Sequence, residues 1–110
     1  MDLTRGIDNL IANAFRYLPA SGGRMDITGR AIQSGYEIRI KDNGEGIEPE
    51  NLENIWKLGW QAKDAKRGAA GLGLAIVKQI IQAHEGTIQA SSQGKGTGTE
   101  FKILLPFPIS

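Results

Sequence analysis

Three groups of residues in this chain have types and spacings that could do chemistry. The first is the run DNGEGI, residues 42–47, in which an acid and two glycines directly follow the alternating stretch 36–41. A metal ion in this loop is disfavoured because Glu45 and Glu48 are the only acids nearby and no His is close in sequence. A phosphate is disfavoured by the charge of Asp42. A neutral ligand with an amino group, such as a purine, remains open beside the simpler interpretation that Asp42 caps the next turn.

Strand parity predicts the direction in which Asp42 points. Side chains alternate along a strand, so Tyr36, Ile38, Ile40 and Asp42 share one face. The apolar members of that face must meet the helices, so we expect Asp42 to point toward the covered side at the end of its strand. An unpaired buried carboxylate is unfavourable, and a hydrogen-bond donor should therefore lie close to it.

The second group is a polar stripe on the first predicted helix. Asn9, Asn13 and Arg16 are spaced i, i+4 and i+7, opposite an apolar stripe. A solvated helix face is the simpler explanation, but Asn is a poor helix former and such a face would more readily use Glu, Lys or Gln. The neutral Asn oxygen would suit a Mg²⁺ ion that already carries phosphates as its negative ligands.

The third group consists of two glycine-rich segments. Residues 68–80, GAAGLGLAIVKQI, lead into a helix, and the free N–H groups and positive dipole end of a helix start can cradle a phosphate. The segment is not a Walker motif, and it fails as a dinucleotide fingerprint because a loop precedes it and Ile76 occupies the third small-residue position. Residues 94–101, GKGTGTEF, read as a turn before a strand in which Thr99 could offer a hydroxyl to a ligand. Glycines also serve as plain hinges, so each signal is weak alone.

Composition excludes several function classes. The 110 residues are 40% hydrophobic and 23% charged, which is typical of one globular domain. The absence of cysteine excludes a disulfide framework, a thiolate metal site and a thiol nucleophile. A formal charge of +1 gives no whole-domain field for nucleic acid or an anionic membrane. With no apolar run of membrane-spanning length and no secretory signal at the start, we expect a cytoplasmic domain without membrane insertion.

Hydrophobic periodicity predicts an alternation of helices and strands. Helices are predicted at 4–18, 49–55 and 71–84, strands at 25–32, 36–42, 86–91 and 99–105, and a loop at 56–70. The first two strands should form a hairpin through residues 33–35. This order predicts an α+β two-layer sandwich, with a mixed, mostly antiparallel sheet and the helices on one face.

Together, in this order and spacing, the segments resemble the ATP-binding catalytic domain of bacterial sensor histidine kinases. That superfamily also includes DNA gyrase, mismatch-repair ATPases and a major heat-shock chaperone. NLIANAFRYLP resembles its asparagine box, DNGEGI its first glycine box, GLGLAIVK its second and GTGTEF its last. No box is decisive alone, but four in register between residues 8 and 106 are specific. The resemblance implies a Bergerat-type ATP-binding fold over residues 1–110, with a flexible lid over the nucleotide at about 56–70.

The resemblance also implies a role for each box. Asp42 should accept the adenine amino group, Asn13 should hold Mg²⁺ with Asn9 assisting one turn earlier, and Arg16 should meet the phosphates. Asn13 and Arg16 are thereby the candidate catalytic residues. Around the base, the resemblance implies Tyr17 near the adenine or ribose, Gly44 and Gly46 where the backbone passes close to the base, and Ile47 packed beside it. Thr99 should reach the adenine through water. The residues implied at the phosphate-binding turn are Gly71, Leu72, Gly73 and Leu74.

Three residues depart from the family pattern or invite misreading. Trp56 and Trp60 stand where relatives have a phenylalanine-rich segment, which affects the closed geometry of the lid. His84 lies at the end of a predicted helix, and a structural role there is favoured. The histidine that such kinases phosphorylate belongs to a separate dimerisation domain that is absent here.

The residue at position 9 predicts transfer rather than hydrolysis. Hydrolysing members of the superfamily carry a glutamate at the position of Asn9, and Asn cannot act as a general base. The resemblance therefore implies a histidine protein kinase that uses ATP and Mg²⁺, with the histidine domain of the same protein and a response regulator as partners. Alone, the domain should be monomeric, bind ATP or ADP and turn over little. The alternatives are a free-standing serine kinase that regulates a sigma factor, whose relatives usually keep the acid at position 9, and a nucleotide-free interaction module.

Overall fold

The computed structural model describes residues 3–16, 21–57, 73–94 and 96–107, with the side chains of residues 13–16 excepted. The predicted roles of Tyr17, Gly71 and Leu72, together with Trp60 and most of the predicted lid, lie outside these described residues.

In the described part of the chain, two helices form one layer. Helix α1 spans Leu3–Arg16 and helix α2 spans Gly73–Ala83, as predicted within the described residues. Leu10 of α1 is fully buried. The two helices pack closely because α1 has a glycine at the contact: a Cβ on Gly6 would lie 3.0 Å from Cγ2 of Ile80. A larger residue at position 6 would push the helices apart.

Helix α2 ends in a Schellman motif. The N–H of Gly86 donates to the Ile81 carbonyl at 2.9 Å, and the N–H of Glu85 donates to the Gln82 carbonyl at 2.9 Å. Glu85 has a φ of +62°, a conformation that glycine usually provides. His84 is the first residue after α2, and its backbone N–H donates to the carbonyls of Ile80 and Ile81. This is the helix-end position at which a structural role was predicted.

The second layer is a sheet, of which the described residues form four strands. They are β1 (Met25–Ile32), β2 (Gly35–Asp42), β3 (Thr87–Ser91) and β4 (Thr99–Pro106). The strand order is β1-β2-β4-β3, and each of the three described pairings is antiparallel. The predicted hairpin is present, with Ile32 paired to Gly35 across a two-residue turn.

The predicted short helix at 49–55 is replaced by two separate 3-10 turns. They span Pro49–Asn51 and Asn54–Trp56, and each closes with an i to i+3 backbone bond. Only Ile55 in these turns is buried, so there is no apolar face to support a continuous α-helix.

One face of the sheet packs on the helices and builds the core. The buried cluster consists of Leu10, Ile40, Ile55, Val77, Ile81, Ile88, Phe101, Ile103 and Leu105. Burying an aliphatic side chain of this size contributes about 1.5–3 kcal/mol relative to leaving it exposed. The predicted α+β two-layer sandwich with helices on one face is confirmed.

The opposite face of the sheet carries a chain of ion pairs. Glu37 accepts hydrogen bonds from Arg39 at 2.7 Å and from Arg30 at 3.2 Å, and Arg39 also reaches Glu100 at 3.1 Å. The Glu37 side chain is only 8% exposed. The hydrogen bond from Arg39, assisted by Arg30, holds the pKa of Glu37 below its usual value despite this burial. This network joins β1, β2 and β4.

Candidate functional site

The predicted acid lies at the end of the central strands, on the helix side of the sheet. Asp42 is the last residue of β2 and is paired with Thr99, the first residue of β4. Ile40, two residues earlier on the same face, is fully buried, and Asp42 itself is only 9% exposed. The direction predicted from strand parity is confirmed.

The two oxygens of the Asp42 carboxylate have different environments. Oδ1 accepts the backbone N–H of Gly44 at 2.8 Å and that of Thr99 at 3.3 Å. Within the described part of the chain, Oδ2 accepts no hydrogen bond, and no buried side-chain N or O atom lacks a partner. Oδ1 thus stabilises the turn, as the simpler interpretation predicted, while Oδ2 has no hydrogen-bond partner among the described residues.

Burial raises the pKa of Asp42 above its ordinary value. The backbone hydrogen bonds from Gly44 and Thr99 favour the charged form and offset part of this effect. A ligand that donated a hydrogen bond to Oδ2 would also favour the charged form. Among the described residues, the donors to this carboxylate are the two backbone N–H groups that reach Oδ1.

The loop after β2 is joined to the loop before β4. The N–H of Gly98 donates to the Gly44 carbonyl at 3.1 Å, and the N–H of Gly96 donates to the Glu45 carbonyl. The N–H of Ile47 donates to the Ser92 hydroxyl at 2.9 Å. These bonds connect residues far apart in the chain, so the two glycine-rich loops form one surface beside Asp42.

Two glycines of this surface have no room for a side chain. Gly46 has a φ of +74°, and a Cβ on it would overlap the carbonyl oxygen of Gly94. Gly98 has a φ of +82°, and a Cβ on it would overlap the carbonyl oxygen of Asp42. The sequence predicted Gly46 as a close contact of the base. The joined loops require a glycine there independently of any ligand.

The remaining predicted site residues are only partly described. Asn9 is half-buried on α1. Asn13 and Arg16 belong to the same helix, but the side chains of these two residues lie outside the described part of the structure. Gly73 begins α2. Leu74 and Ile47 are partly buried against the core cluster. The roles predicted for these residues toward phosphates, metal and base stay predictions.

Trp56 is anchored at the position where the predicted lid begins. Its ring meets Phe101 edge-on, with centroids 6.0 Å apart and an angle of 76° between the planes. The ammonium group of Lys78 lies 5.4 Å from the centroid of the same ring. Trp56, which precedes residues 58–70 in the sequence, therefore packs on the core of the sandwich.

Sequence reasoning missed Ser92 and Asn43. The side-chain oxygen of Asn43 accepts the N–H of Arg24 at 2.7 Å, and its amide group donates to the Gly22 carbonyl at 2.9 Å. Ser92 bonds to both glycine-rich loops. A serine ahead of a glycine-rich turn is a sequence signal for a hydroxyl-backbone bond, although it does not identify the distant partner.

The chain belongs to the family described as histidine kinase-, DNA gyrase B-, and HSP90-like ATPases, whose model matches residues 1–109. It is therefore an ATP-binding domain of this class. Its curated relatives include a sensor-like histidine kinase, SenX3, of Mycobacterium tuberculosis, which is 38% identical over 94% of this chain and 26% of the relative. The alginate biosynthesis sensor protein KinB of Pseudomonas aeruginosa is 40% identical over 96% of this chain and 17% of the relative.

Solved structures of the same class share the fold. The mycobacterial sensor histidine kinase MprB superposes with a TM-score of 0.82 at 32% identity, over 93% of this chain and 70% of that structure. Full-length ShkA in complex with AMPPNP superposes with a TM-score of 0.82 at 29% identity, over 98% of this chain and 22% of that one.

The chain spans about a quarter or less of the length of the two curated relatives named above. Neither helix in the described ranges is long and apolar enough to cross a bilayer.

Proposed function

We propose that this domain binds Mg-ATP and presents its γ-phosphoryl group to a histidine on a separate dimerisation domain of the same protein. The phosphoryl group would then pass to a response regulator. The domain would work on the cytoplasmic side, as a monomer when isolated. The observation that carries the nucleotide part is the Asp42 carboxylate, nearly buried at the end of the sheet, with one oxygen fixed by two backbone donors and the other without a hydrogen-bond partner among the described residues.

This arrangement suits adenine in particular. Oδ2 can only accept a hydrogen bond while the carboxylate is ionised. Adenine offers an amino donor at the position where guanine carries a carbonyl acceptor. Oδ2 would therefore attract an adenine and repel a guanine placed in the same orientation. The superposition with a relative solved in complex with AMPPNP, an ATP analogue, supports a nucleotide as the occupant.

The phosphate end of the nucleotide would be held by the two helices. Asn9 and Asn13 are one turn apart on α1, and Arg16 follows within the next turn. Two neutral amides suit a Mg²⁺ ion whose negative ligands are phosphates, and Mg²⁺ would supply charge neutralisation when bound. Arg16 and the start of α2 at Gly73 would bind the remaining phosphate oxygens.

Position 9 favours transfer over hydrolysis. Phosphoryl transfer needs mainly positioning and charge neutralisation, which these residues could provide. The amide of Asn9 cannot deprotonate water, so bound ATP would persist until the acceptor histidine arrives. The serine-kinase alternative is not favoured, because the matched relatives named above are sensor kinases.

Phosphotransfer to a histidine domain is the direct test of this function. We expect the isolated domain to bind ATP with little turnover, and to phosphorylate a histidine domain taken from the same protein when the two are mixed with labelled ATP. The measurement is acid-labile, base-stable label on the acceptor. The control is the acceptor with its histidine replaced by Gln. If ATP binds but no phosphohistidine forms, the kinase assignment is contradicted and the assignment of nucleotide binding is not.

The metal role can be tested separately at Asn13. We expect Asn13→Ala to abolish most of the Mg²⁺-dependent gain in ATP affinity, because the amide oxygen is the residue's only possible metal ligand. Binding of adenosine, which needs no metal, should change little. Calorimetric titrations with and without Mg²⁺ measure both. Gln79→Ala, which removes an exposed amide from α2, is the matched control. If Asn13→Ala kept the full Mg²⁺-dependent gain in ATP affinity, Asn13 would not be a metal ligand.

A further inference from the structure

Ser92 is the point at which the two glycine-rich loops are fastened together. Its Oγ accepts the N–H of Ile47 at 2.9 Å and that of Gly94 at 3.2 Å. It lies 2.7 Å from the carbonyl oxygen of Gly98 and 3.3 Å from that of Gly94. A hydroxyl has one proton and two acceptor lone pairs. The two N–H groups fill the lone pairs and the proton goes to the nearer carbonyl, so the bonding capacity of Ser92 is fully used.

The bond from Ser92 to Gly98 reaches the Asp42 carboxylate through a single peptide unit. The Gly98 carbonyl and the Thr99 N–H belong to the same planar group. Ser92 holds the carbonyl end of that group, and the N–H end donates to Oδ1 of Asp42 at 3.3 Å. The orientation of this peptide plane therefore decides whether Thr99 can donate to Asp42.

A second path from Ser92 reaches the other donor to Asp42. The N–H of Gly98 donates to the Gly44 carbonyl, and the N–H of Gly44 donates to Oδ1 at 2.8 Å. Ser92 also holds Ile47, at the far end of the same loop. Gly46 lies between these points in the chain, and a Cβ on it would come within 3.0 Å of Ser92 Oγ and overlap the Gly94 carbonyl oxygen. The hydroxyl thus fixes both loops that aim the carboxylate, although Ser92 does not contact Asp42.

We propose that Ser92 is a positioning residue for base recognition. Ser92 holds the peptide unit that carries the Thr99 N–H, and through Ile47 and Gly98 it holds the loop that carries the Gly44 N–H. It thereby keeps Oδ2 directed at the base amino group and determines how strongly the site prefers adenine over guanine nucleotides. This inference rests on the proposed function, since it assigns Asp42 to the base. Its distinctive consequence is an effect on base selectivity, which a serine that merely supported the fold would not have.

The test compares ADP and GDP affinities in Ser92→Ala, Ser92→Thr and Ser91→Ala. Ser92→Ala leaves two N–H groups and one carbonyl without their partner, so we expect ADP affinity to fall about five- to tenfold and the ADP:GDP ratio to fall with it. Ser92→Thr keeps the hydroxyl and should restore the ratio to within about twofold of the native value. Ser91→Ala makes the same change at an exposed neighbour and should alter neither quantity.

Thermal unfolding of the unliganded variants separates positioning from support of the fold. A lower Tm of Ser92→Ala with an unchanged ADP:GDP ratio would overturn the inference. If Ser92→Ala does not fold, Ser92→Cys takes its place: its thiol is a weak donor and acceptor, so reduced selectivity supports the inference and native selectivity overturns it.

Asp42→Asn distinguishes this inference from the function beneath it. If Asp42→Asn abolishes selectivity while Ser92→Ala retains it, only the role of Ser92 fails. If native protein does not prefer ADP and Asp42→Asn changes nothing, the proposed function fails first and takes the role of Ser92 with it.

Discussion

Replacing Asp42 with Asn should remove most of the affinity for adenine nucleotides and leave the unliganded fold at least as stable as before. The Asn side-chain oxygen can still accept the N–H groups of Gly44 and Thr99, which now reach Oδ1. The atom at the position of Oδ2 then becomes an NH₂ donor, opposite the amino donor of a bound adenine. Loss of a hydrogen bond to a charged group costs about 1.5–3 kcal/mol, roughly a ten- to hundredfold rise in Kd.

The raised pKa of Asp42 fixes the sign of the stability change. Because the pKa is higher in the folded domain than in the unfolded chain, the folded state favours the protonated acid. The stabilising contribution of protonated Asp42 is complete below the unfolded pKa and is lost as pH rises through the raised folded value. At neutral pH the charged form therefore destabilises the unliganded domain, and Asp42→Asn should melt at the same or a higher temperature.

The same shift predicts the pH dependence of binding. ADP affinity of the native protein should fall on acidification at a higher pH than an ordinary Asp would give, because protonated Asp42 offers the adenine amino group an O–H donor or a neutral acceptor instead of a carboxylate. Asp42→Asn keeps any titration of the nucleotide itself but lacks this component. Titrations that follow the fluorescence of Trp56 and Trp60 across pH measure it. Asp26→Asn, at an exposed carboxylate of β1, is the control. Equal ADP affinity in native protein and Asp42→Asn would remove Asp42 from the base site.

Substituting Gly46 with Ala should be among the most damaging single-methyl changes in the domain. An Ala at φ +74° is strained by about 1–2 kcal/mol, and here its Cβ would also overlap the Gly94 carbonyl oxygen. The overlap is with backbone, so the glycine-rich loops must separate and lose bonds such as Ile47 N–H to Ser92. We expect a total loss of about 3 kcal/mol or more in unfolding free energy, with weaker ADP binding.

Gly22 provides a matched control for this substitution. It has the same φ of +74°, but nothing lies within 4 Å of a Cβ placed on it. Gly22→Ala therefore carries the backbone strain without the overlap and should be destabilised by only about 1–2 kcal/mol, with native ADP affinity. Urea unfolding and ADP titration of the two variants give the comparison. Similar losses in both would show that strain alone accounts for Gly46, and that the loops are not held tightly.

Local patterns were sufficient to predict the elements and the direction of Asp42. Strand parity depends only on a period of two, and the apolar residues at 38 and 40 fixed which face was covered. The hairpin depended on neighbouring residues in the same way. The short helix at 49–55 was wrong because Pro and polar residues allowed a turn, but only packing decides whether a turn continues.

The contacts between loops could not be predicted from sequence. Ser92 meets Ile47 only because β4 pairs with β2, which brings together residues 45 positions apart in the chain. The requirement for glycine at 46 arises from the same pairing, since the oxygen that excludes a side chain belongs to Gly94. The hydrogen bonding of Asp42 also depends on the pairing of β4 with β2, because Thr99 of β4 is the second donor to Oδ1. A pattern in one segment contains no information about such a partner.

The ion pairs on the outer face of the sheet favour the observed register of the strands that carry the candidate site. A slip of one position would turn Glu37 and Arg39 into the apolar core, where separated charges are strongly unfavourable. A slip of two positions would keep the faces but separate Glu37 from Arg30 and Arg39 from Glu100. The correct pairing alone also places Thr99 beside Asp42. The side of the sheet that faces away from the proposed nucleotide site thus disfavours registers in which Asp42 and Thr99 would be separated.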